Sequence, residues 1–344
     1  MIPTPIFARL IQHMMPGRSY RNISKRSWKL APGCSRHEPK AFFHTSDLSR
    51  ILGVSESSTH CLQIERIYGG LRHHAPTMAH LIPNAQLCNG HVVRPTASLR
   101  VGSEPMPWLN NPFKPRVSQA VLASTQYGVR YFGHWLLDDI PLTMAAIRLG
   151  DPINVTPQLS NHQLSYIKLT GTRSRTLINA HVNELIIIDD VGQNYYKSER
   201  LMDLRFQLLR HFSHPEPSKI MILRQESASR RTLVNEMEIA AKLSQQGFKI
   251  FSPLETSAEN LIQACLGATI VVGVEGSHLA HAVLCMAPGN TLLTLQPPYR
   301  FDAALKDWCD CKQIRYAFTV GEPCQNGGFQ TPLYFIDNLL QQLC

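Results

Sequence analysis

Short apolar runs alternate with amphipathic stretches along the sequence from about Glu184 onward. The apolar runs are typical of buried strands, and the stretches between them show the apolar spacing of helices. The predicted strands are Glu184–Asp189, Lys219–Arg224, Phe248–Phe251, Ala268–Val274 and Thr291–Leu295. The predicted helices are Ser198–Phe212, Asn235–Gln246, a helix ending at Leu266, Ser277–Cys285 and Leu333–Leu343. This alternation indicates βαβ units with a parallel sheet, and therefore an α/β fold.

The chain divides into three parts on this interpretation. Residues 1–50 form an N-terminal leader, residues 51–213 an N-terminal α/β domain and residues 214–344 a C-terminal Rossmann-like domain. The last boundary is marked by Pro215 and Pro217, which favour an extended linker. In residues 51–213 the alternation of apolar runs and amphipathic stretches is less regular.

The net charge of +9 is concentrated at the N-terminus. Residues 1–50 carry nine Lys or Arg and two acidic residues, whereas the remainder carries 25 basic and 23 acidic residues. A nucleic-acid-binding domain would spread basic groups over a folded face, so we expect no nucleic-acid partner. Two interpretations of the leader stay open: a disordered end, or a basic segment that rests peripherally on an anionic inner membrane.

Composition also bears on the compartment. No window contains the roughly 20 apolar residues that span a bilayer. Arg9, His13 and Pro16 interrupt the first apolar patch, which argues against a signal peptide. The nine cysteines form an odd number without a CxxC pair, as expected for free thiols in a reducing compartment. We therefore predict a cytoplasmic protein.

The loop Gly273–Ser277 connects a predicted strand to a predicted helix. A glycine turn at that position lets a phosphate or an anionic sugar nucleotide approach backbone N–H groups. Glu275 is suited to accept hydrogen bonds from ribose or sugar hydroxyls. The alternative is a tight turn in which Ser277 is an ordinary N-cap.

Three arginines lie near the end of the strand Lys219–Arg224. Arg224 ends the strand, and Arg230 and Arg231 follow across a short polar loop. Guanidinium groups at the carboxyl end of a parallel strand face the crevice where α/β sheets bind ligands, and their geometry matches phosphate oxygens. The alternative is a solvated loop whose arginines pair with nearby glutamates.

His134 and Asp138 are four residues apart in an otherwise apolar segment predicted to be helical. A carboxylate beside an imidazole forms a plausible proton-accepting pair. The alternative is that His134 caps the helix while Asp138 or Asp139 anchors it. A polar pair is costly in an apolar segment, which favours a functional role.

The sequence contains no D-x-D, no P-loop, no H-E-x-x-H and no G-x-S-x-G motif. These absences predict a site without a metal and without a cofactor other than the substrate.

Three sequence blocks together resemble the glycosyltransferase 61 family, which includes bacterial capsular-polysaccharide biosynthesis proteins. The first block is G-H-W-L-L-D-D-I-P at 133–141. The second comprises Arg224, Arg230, Arg231, Asn235, Glu236, Gly247 and Phe248. The third is G-V-E-G-S-H-L at 273–279. Glu275 stands where many relatives have His, and Ser277 where they have Ala.

The resemblance implies a GT-B-like enzyme with two Rossmann-like domains facing a cleft and a C-terminal helix that packs back on the N-terminal domain. The enzyme would be inverting and metal-independent. Its donor-binding residues would be Arg224, Arg231, Asn235, Glu236, Glu275, Gly276, Ser277 and His278. Its candidate base would be His134 or Asp138.

The leading hypothesis is a glycosyltransferase that moves a hexosyl or pentosyl group from a nucleoside diphosphate donor to a polysaccharide or lipid-linked acceptor. A second hypothesis is a non-catalytic nucleotide-sugar-binding or scaffold protein of a polysaccharide assembly. A third is another transferase, such as a pyruvyl transferase, on a similar double-Rossmann frame.

Overall fold

A computed structural model describes residues 19–105, 114–212, 216–225, 231–325 and 327–343. The chain forms two compact units, each assembled from two stretches of sequence. The first comprises Met1–Cys34 and Ala75–Arg200, and the second comprises Ser35–His74 and Leu201–Cys344. The predicted divisions after residues 50 and 213 differ from these ranges.

The strands up to residue 200 are β1 (Arg26–Ala31), β2 (Cys34–Glu38), β3 (Gly70–His74), β4 (Thr77–Cys88), β5 (His91–Arg94), β6 (Ala97–Leu99), β7 (Arg116–Leu122), β8 (Pro152–Asn154), β9 (Arg175–Thr176) and β10 (Ala180–Asp189). The later strands are β11 (Ser218–Ile222), β12 (Phe248–Phe251), β13 (Ala268–Val274), β14 (Thr291–Gln296), β15 (Arg315–Val320), β16 (Glu322–Pro323) and β17 (Phe329–Gln330).

The α-helices are α1 (Thr45–Ser49), α2 (His60–Tyr68), α3 (Phe132–His134), α4 (Ile140–Ile147), α5 (Asn161–Thr170), α6 (Tyr195–Leu209), α7 (Glu236–Gln245), α8 (Ala258–Leu266), α9 (Ala280–Cys285), α10 (Ala304–Cys311) and α11 (Leu333–Leu343). A π-helical turn, Trp135–Asp139, joins α3 to α4. Shorter 3₁₀ turns are Tyr20–Ile23, Ser277–Leu279 and Pro298–Arg300.

The first unit is built on a mixed sheet in the order β6-β5-β4-β10-β7-β8-β9, with β1 paired to β4. The strands from β7 to β10 are parallel to one another, whereas β4 is antiparallel to β10, β5 and β1. A Rossmann-like domain requires parallel strands joined by helices, so that prediction fits only the parallel half of this sheet. The two-Rossmann GT-B arrangement is therefore not confirmed.

A hairpin explains part of the antiparallel half. Asn89 and Gly90 connect β4 to β5, and both have positive φ values, +48° and +76°. Two consecutive residues of that kind form the tight turn whose twist matches a β-hairpin. The Asn-Gly pair between two apolar runs is a hairpin signal in the sequence itself.

The second unit contains a fully parallel five-stranded sheet in the order β12-β11-β13-β14-β15. The C-terminal sequence thus forms the parallel sheet that its alternation of strands and helices predicts, and its role as a nucleotide-sugar-binding domain stays a prediction. The chain leaves β11 towards β12 on one side and later enters β13 on the other side. The carboxyl ends of β11 and β13 therefore flank the point where strand order reverses, which is where open α/β sheets bind ligands.

The core on one face of this sheet combines strand and helix residues: Met221, Val272, Leu293, Ala317, Ile239, Leu243, Ile336, Leu339 and Leu343. The last three belong to α11. The apolar stripe of α11 completes the core of its own unit, because the sheet face beside α7 needs a second helix to cover it. Packing of this helix on the N-terminal domain stays a prediction.

Residues 35–74 belong to the second unit because they form hydrogen bonds with β15, the edge strand of its five-stranded sheet. The backbone of Phe42 pairs with both Tyr316 and Phe318, at 2.9 and 3.0 Å. The buried carboxylate of Asp47 accepts hydrogen bonds from the Thr319 hydroxyl and the Val320 N–H. Two of these contacts use backbone groups only, and no apolar or charge pattern encodes them.

The basic leader, residues 1–50, is folded where the structure describes it, from residue 19 onward. Its basic groups are used in contacts within the units: Arg21 pairs with Asp189 at 2.6 Å, and Arg50 donates to the backbone oxygen of Val320 at 2.7 Å. The interpretation of a disordered end is therefore wrong for residues 19–50. Residues 1–18 lie outside the described residues. No helix in the described ranges has the length and apolar composition needed to cross a membrane.

Candidate functional site

Arg224 lies two residues beyond β11 and is only 8% exposed. Its Nη1 donates a hydrogen bond to the backbone oxygen of Glu275, in the loop after β13, at 2.7 Å. The backbone N–H groups of Arg224 and Gln225 donate to the two oxygens of the Glu236 carboxylate, at 2.8 and 3.2 Å. Gln225 has a φ of +49°, a strained conformation for a non-glycine residue. Glu236 therefore clamps the loop that positions the Arg224 guanidinium.

Gly276 permits the close approach of these two loops. A Cβ atom at this position would lie 2.1 Å from Nη1 of Arg224, well inside van der Waals contact. Any side chain at position 276 would therefore have to displace the Arg224 guanidinium, and only glycine leaves it in place.

Glu275 lies at the centre of a cluster of arginines. Its Oε2 accepts hydrogen bonds from Nη1 of Arg300 at 3.1 Å and from Nη1 of Arg231 at 3.4 Å. Burial raises the pKa of Glu275, as does Asp302, while Arg300, Arg231 and Arg224 oppose the rise. Three guanidinium groups thus converge on Glu275, and their fork geometry is suited to phosphate oxygens.

His278 and Ser277 follow Gly276 in a 3₁₀ turn, and α9 after that turn is only six residues long. The predicted helix Ser277–Cys285 is therefore confirmed, with a first turn that is 3₁₀. Because its α-helical part has only six residues, the helix N-terminus adds little to anion binding here. Burial and the positive charges of Arg224 and Arg231 lower the pKa of His278 to about 3. Nε2 of His278 is buried and has no hydrogen-bond partner within the described residues. The imidazole is thus neutral.

Asn235 and Glu236 act on the backbone. The side-chain amide of Asn235 donates to the backbone oxygen of Thr331 at 3.0 Å and accepts from its N–H at 3.1 Å. Both residues therefore order the surrounding chain, and their contact with the donor stays a prediction. Arg230 lies outside the described residues.

The sequence analysis missed Arg300, which follows the carboxyl end of β14 in a 3₁₀ turn. The rule that selected Arg224, a guanidinium beyond a strand's carboxyl end, applies equally to Arg300. Its ion pair with Glu275 depends on the tertiary fold.

A second set of polar residues lies in the first unit, around the π-helical turn. Nδ1 of His134 lies 2.8 Å from Oδ2 of Asp138. Nζ of Lys197, which is 2% exposed, donates to Oδ1 of Asp138 at 2.6 Å and to the backbone oxygen of Asp190 at 3.1 Å. The structure thus brings the predicted pair together and adds a buried ammonium to it. π-Helical turns are frequent at functional sites.

Asp138 stays ionised in this setting. Burial alone would raise the pKa of Asp138, but the charge of Lys197 and the hydrogen bond with His134 outweigh burial and hold it well below its usual range. An ionised carboxylate accepts the Nδ1–H of His134, which leaves the lone pair on Nε2. The arrangement therefore prepares His134 to take a proton at Nε2.

Lys197 was not predicted, and neither was Arg200 one turn later on α6. Arg200 donates to Oδ1 of Asp190 and to the backbone oxygen of Pro141, both at 2.8 Å. These bonds fix the start of α6, which carries Lys197, against the start of α4. A lysine and an arginine three residues apart on a helix usually indicate a solvated face, so no sequence signal separates these two from surface residues.

Within the described ranges, no three His, Cys, Asp or Glu residues are grouped closely enough to hold a metal ion. The prediction of a metal-independent site is not tested by this observation.

The model of a family described as Glycosyltransferase 61 matches residues 132–293. The matched segment includes His134, Asp138 and the loops after β11 and β13. It supports the resemblance to this family and, in general terms, a glycosyltransferase; the bacterial capsular type stays a prediction. No curated protein matches the chain.

Two solved structures share weak similarity with the chain. One is the bacterial iron-containing dodecameric glycosyltransferase TibC from enterotoxigenic E. coli H10407, with a TM-score of 0.32 and 9% identity over 67% of this chain and 79% of that chain. The other is the dodecameric iron-containing heptosyltransferase TibC in complex with ADP-D-beta-D-heptose, with a TM-score of 0.29 and 9% identity over 76% of this chain and 79% of that chain. Similarity at these scores supports no conclusion about this chain.

Proposed function

We propose that this protein is an inverting, metal-independent glycosyltransferase that moves a sugar from a nucleoside diphosphate donor to a saccharide acceptor, either a polysaccharide or a glycolipid. The observation that carries the proposal is the convergence of Arg224, Arg231 and Arg300 on Glu275, at the ligand-binding edge of a parallel sheet. The match of residues 132–293 to a glycosyltransferase family supports it.

The donor's diphosphate is bound by the arginines. Arg224 is fixed by Glu236 and by the backbone of Glu275, and Arg231 and Arg300 are held by the Glu275 carboxylate. A guanidinium has five donors, so each retains N–H groups for phosphate oxygens. As the bond between the anomeric carbon and the phosphate oxygen breaks, the positive charge stabilises the departing nucleoside diphosphate. Gly276 leaves space for the Arg224 guanidinium, and Ser277 and neutral His278 contribute hydrogen bonds to the phosphates.

The acceptor hydroxyl is activated by His134. Nε2 takes the hydroxyl proton while the oxygen attacks the anomeric carbon from the face opposite the leaving group, which inverts the configuration. Asp138 stabilises the imidazolium that forms, and Lys197 keeps Asp138 ionised and in place. One base and one group of cations suffice for this reaction.

The test measures nucleoside diphosphate release by the full-length protein from a panel of UDP-, GDP- and ADP-sugars, with EDTA present and p-nitrophenyl glycosides as acceptors. The Arg231→Ala variant is compared with Arg315→Ala, an exposed arginine at the amino edge of the same sheet. We expect Arg231→Ala to raise the donor KM by about 10-fold or more, and Arg315→Ala to behave as wild type. An equal donor KM in both variants, or no nucleoside diphosphate release from any donor by the wild type, contradicts the proposal.

A second candidate is a non-catalytic nucleotide-sugar-binding or scaffold protein. Glu275 favours it, since this acid replaces a histidine of many relatives and already occupies two of the arginines. Calorimetry that shows donor binding, together with no transfer to any acceptor and no donor hydrolysis, would favour this candidate over the enzyme.

A further inference from the structure

Aromatic residues around the π-helical turn of the first unit fall into two sets. Phe132 packs inward, with its ring centroid 6.0 Å from Trp135 and 6.4 Å from Tyr166. Tyr127 and Tyr131 point outward and are 47% and 50% exposed. Core packing therefore accounts for the position of Phe132, but it does not explain why Tyr127 and Tyr131 are exposed.

The outward rings form a contiguous group with His134. The Tyr127 ring is stacked on the His134 imidazole, with centroids 5.1 Å apart and planes 28° apart. Tyr131 lies 6.4 Å from Tyr127 and 6.3 Å from His134. Single exposed aromatic side chains are ordinary, but two that adjoin a candidate base form an organised surface.

The loop that carries these tyrosines is held by a buried carboxyl group, that of Asp139, whose pKa is raised well above its usual range by burial. Oδ1 of Asp139 accepts hydrogen bonds from the N–H and the hydroxyl of Thr125, at 2.9 and 2.8 Å. The Thr125 hydroxyl in turn accepts the N–H of Gly128 at 2.9 Å. A Cβ at Gly128 would lie 2.1 Å from Oδ2 of Asp139, so the loop packs directly on this carboxyl. The N–H of Tyr131 donates to the backbone oxygen of Tyr127 at 2.8 Å, which fixes the two rings relative to each other.

We propose that Tyr127 and Tyr131 bind the acceptor sugar by stacking against the C–H face of a pyranose ring, and that Asp139 is the positioning residue that holds their loop. The proposal rests on the assignment of His134 as the base. A pyranose has one face of C–H groups whose positive edge is attracted to the negative face of an aromatic ring. A hydroxyl on the rim of a ring stacked there is directed to the neighbouring imidazole. A neutral saccharide suits this surface because the exposed rings of Tyr127 and Tyr131 carry no net charge.

The first experiment measures saccharide binding without any donor, by saturation-transfer NMR with methyl glycosides of glucose, galactose, xylose and N-acetylglucosamine as probes. We expect at least one probe to receive saturation on the protons of one ring face. The effect should be lost in Tyr127→Ala and Tyr131→Ala and retained in Tyr131→Phe, which keeps the ring. Tyr195→Ala is the matched control, since Tyr195 is 58% exposed elsewhere in the same unit. No transfer to any probe, or equal transfer in all variants, overturns the proposal.

The second experiment compares the acceptor KM with the donor's dissociation constant, measured in the absence of an acceptor. The two alanine variants should raise the acceptor KM by about 10-fold, as expected for the loss of one stacked ring, and leave the donor's dissociation constant unchanged, because the arginines proposed to bind the donor lie in the second unit. If the donor is bound as before and the acceptor KM does not change, this inference fails while the proposed function stands. If the tyrosines bind saccharide but no donor is bound or cleaved, the proposed function fails instead.

The role of Asp139 is tested by two substitutions. Asp139→Asn retains an acceptor oxygen for Thr125, and it should restore the acceptor KM that Asp139→Ala raises. Thermal unfolding of both variants identifies any general loss of stability. A KM unchanged in a folded Asp139→Ala variant would show that the carboxyl does not position the tyrosines.

Discussion

Arg224 and Gly276 lie so close together that the guanidinium occupies the space that a side chain at position 276 would need. Nη1 of Arg224 would be 2.1 Å from a Cβ there, and it donates to the backbone oxygen of the preceding residue, Glu275, at 2.7 Å. The loops after β11 and β13 are therefore joined through an arginine rather than through apolar packing. This contact fixes the position of one of the cations proposed to bind the diphosphate.

The first prediction concerns Gly276→Ala. The methyl group must displace the Arg224 guanidinium, so we expect the affinity for UDP or the preferred nucleoside diphosphate to fall by about 10-fold. Calorimetry measures the change. Gly289→Ala is the control, because Gly289 also has a positive φ, +82°, but no atom within 4 Å of an added Cβ. A comparable affinity loss in both variants would point to backbone strain instead of the clash.

The second prediction concerns the loop clamp, Glu236→Gln. An amide offers one acceptor oxygen where the carboxylate offers two, so one backbone N–H of Arg224 or Gln225 loses its partner. We expect the free energy of unfolding to fall by about 1 to 3 kcal/mol and donor affinity to fall with it. Urea titration and calorimetry test the two effects. Glu238→Gln, on the exposed side of α7, should change neither.

The third prediction concerns Lys197→Met. Removal of the ammonium leaves the Asp138 carboxylate without its main counter-charge, which should cost about 3 kcal/mol in unfolding free energy. Combining it with Asp138→Asn removes both charges, so the double variant should be more stable than Lys197→Met alone. Urea unfolding of the two single variants and the double variant measures this coupling. Lys168→Met, an exposed lysine of α5, is the control. Additive effects of the two substitutions would show that the pair does not interact.

Lys197→Met should also separate catalysis from donor binding. The ionised carboxylate that orients His134 depends on Lys197, so kcat should fall by about 10-fold or more. The donor's dissociation constant should stay unchanged, because the arginines and Glu275 belong to a different set of residues. A fall in donor affinity equal to that in kcat would contradict this separation.

The fourth prediction is a pH dependence of stability that arises from His278. Its folded-state pKa is lowered to about 3 by burial and by Arg224 and Arg231, whereas an unfolded histidine titrates near 6.5. Below pH 6.5 the unfolded chain binds a proton that the folded protein does not, so the stabilisation present at neutral pH is lost as the pH falls. Between pH 7 and pH 5 we expect His278 to account for a loss of about 1 to 2 kcal/mol.

Unfolding by urea at the two pH values tests this in wild type and in His278→Asn. The asparagine variant should show a smaller difference between pH 7 and pH 5, whereas His60→Asn, an exposed histidine of the same unit, should match wild type. An unchanged difference in His278→Asn would show that the imidazole does not stay neutral in the folded state.

The sequence by itself determined the parallel sheet of the second unit. The elements β12, β13 and α11 have the predicted bounds. The bounds of β13 can be predicted because a strand buried on both faces shows a continuous apolar run, and those of α11 because its apolar residues recur at helical spacing. The same pattern places Arg224 and Gly276 at strand ends, where a parallel sheet binds ligands. The four-residue spacing of His134 and Asp138 likewise anticipated their hydrogen bond.

Only the tertiary structure decided the partners of these residues. Lys197 is 59 residues from Asp138 in sequence, and no periodicity or motif links the two. They meet because β10 and the start of α6 return the chain to the π-helical turn. Arg300 reaches Glu275 in the same way, since β13 and β14 are neighbours in the sheet and end at the same edge.

The antiparallel half of the first sheet and the assignment of residues 35–74 to the second unit also depended on the fold. Both rest on backbone hydrogen bonds between distant segments, as in the pairing of Phe42 with Tyr316 and Phe318. Every residue except proline carries the same backbone donor and acceptor, so such pairing leaves no mark on residue types. Apolar periodicity encodes which face of an element is buried, whereas the choice of partner is made only when the chain folds.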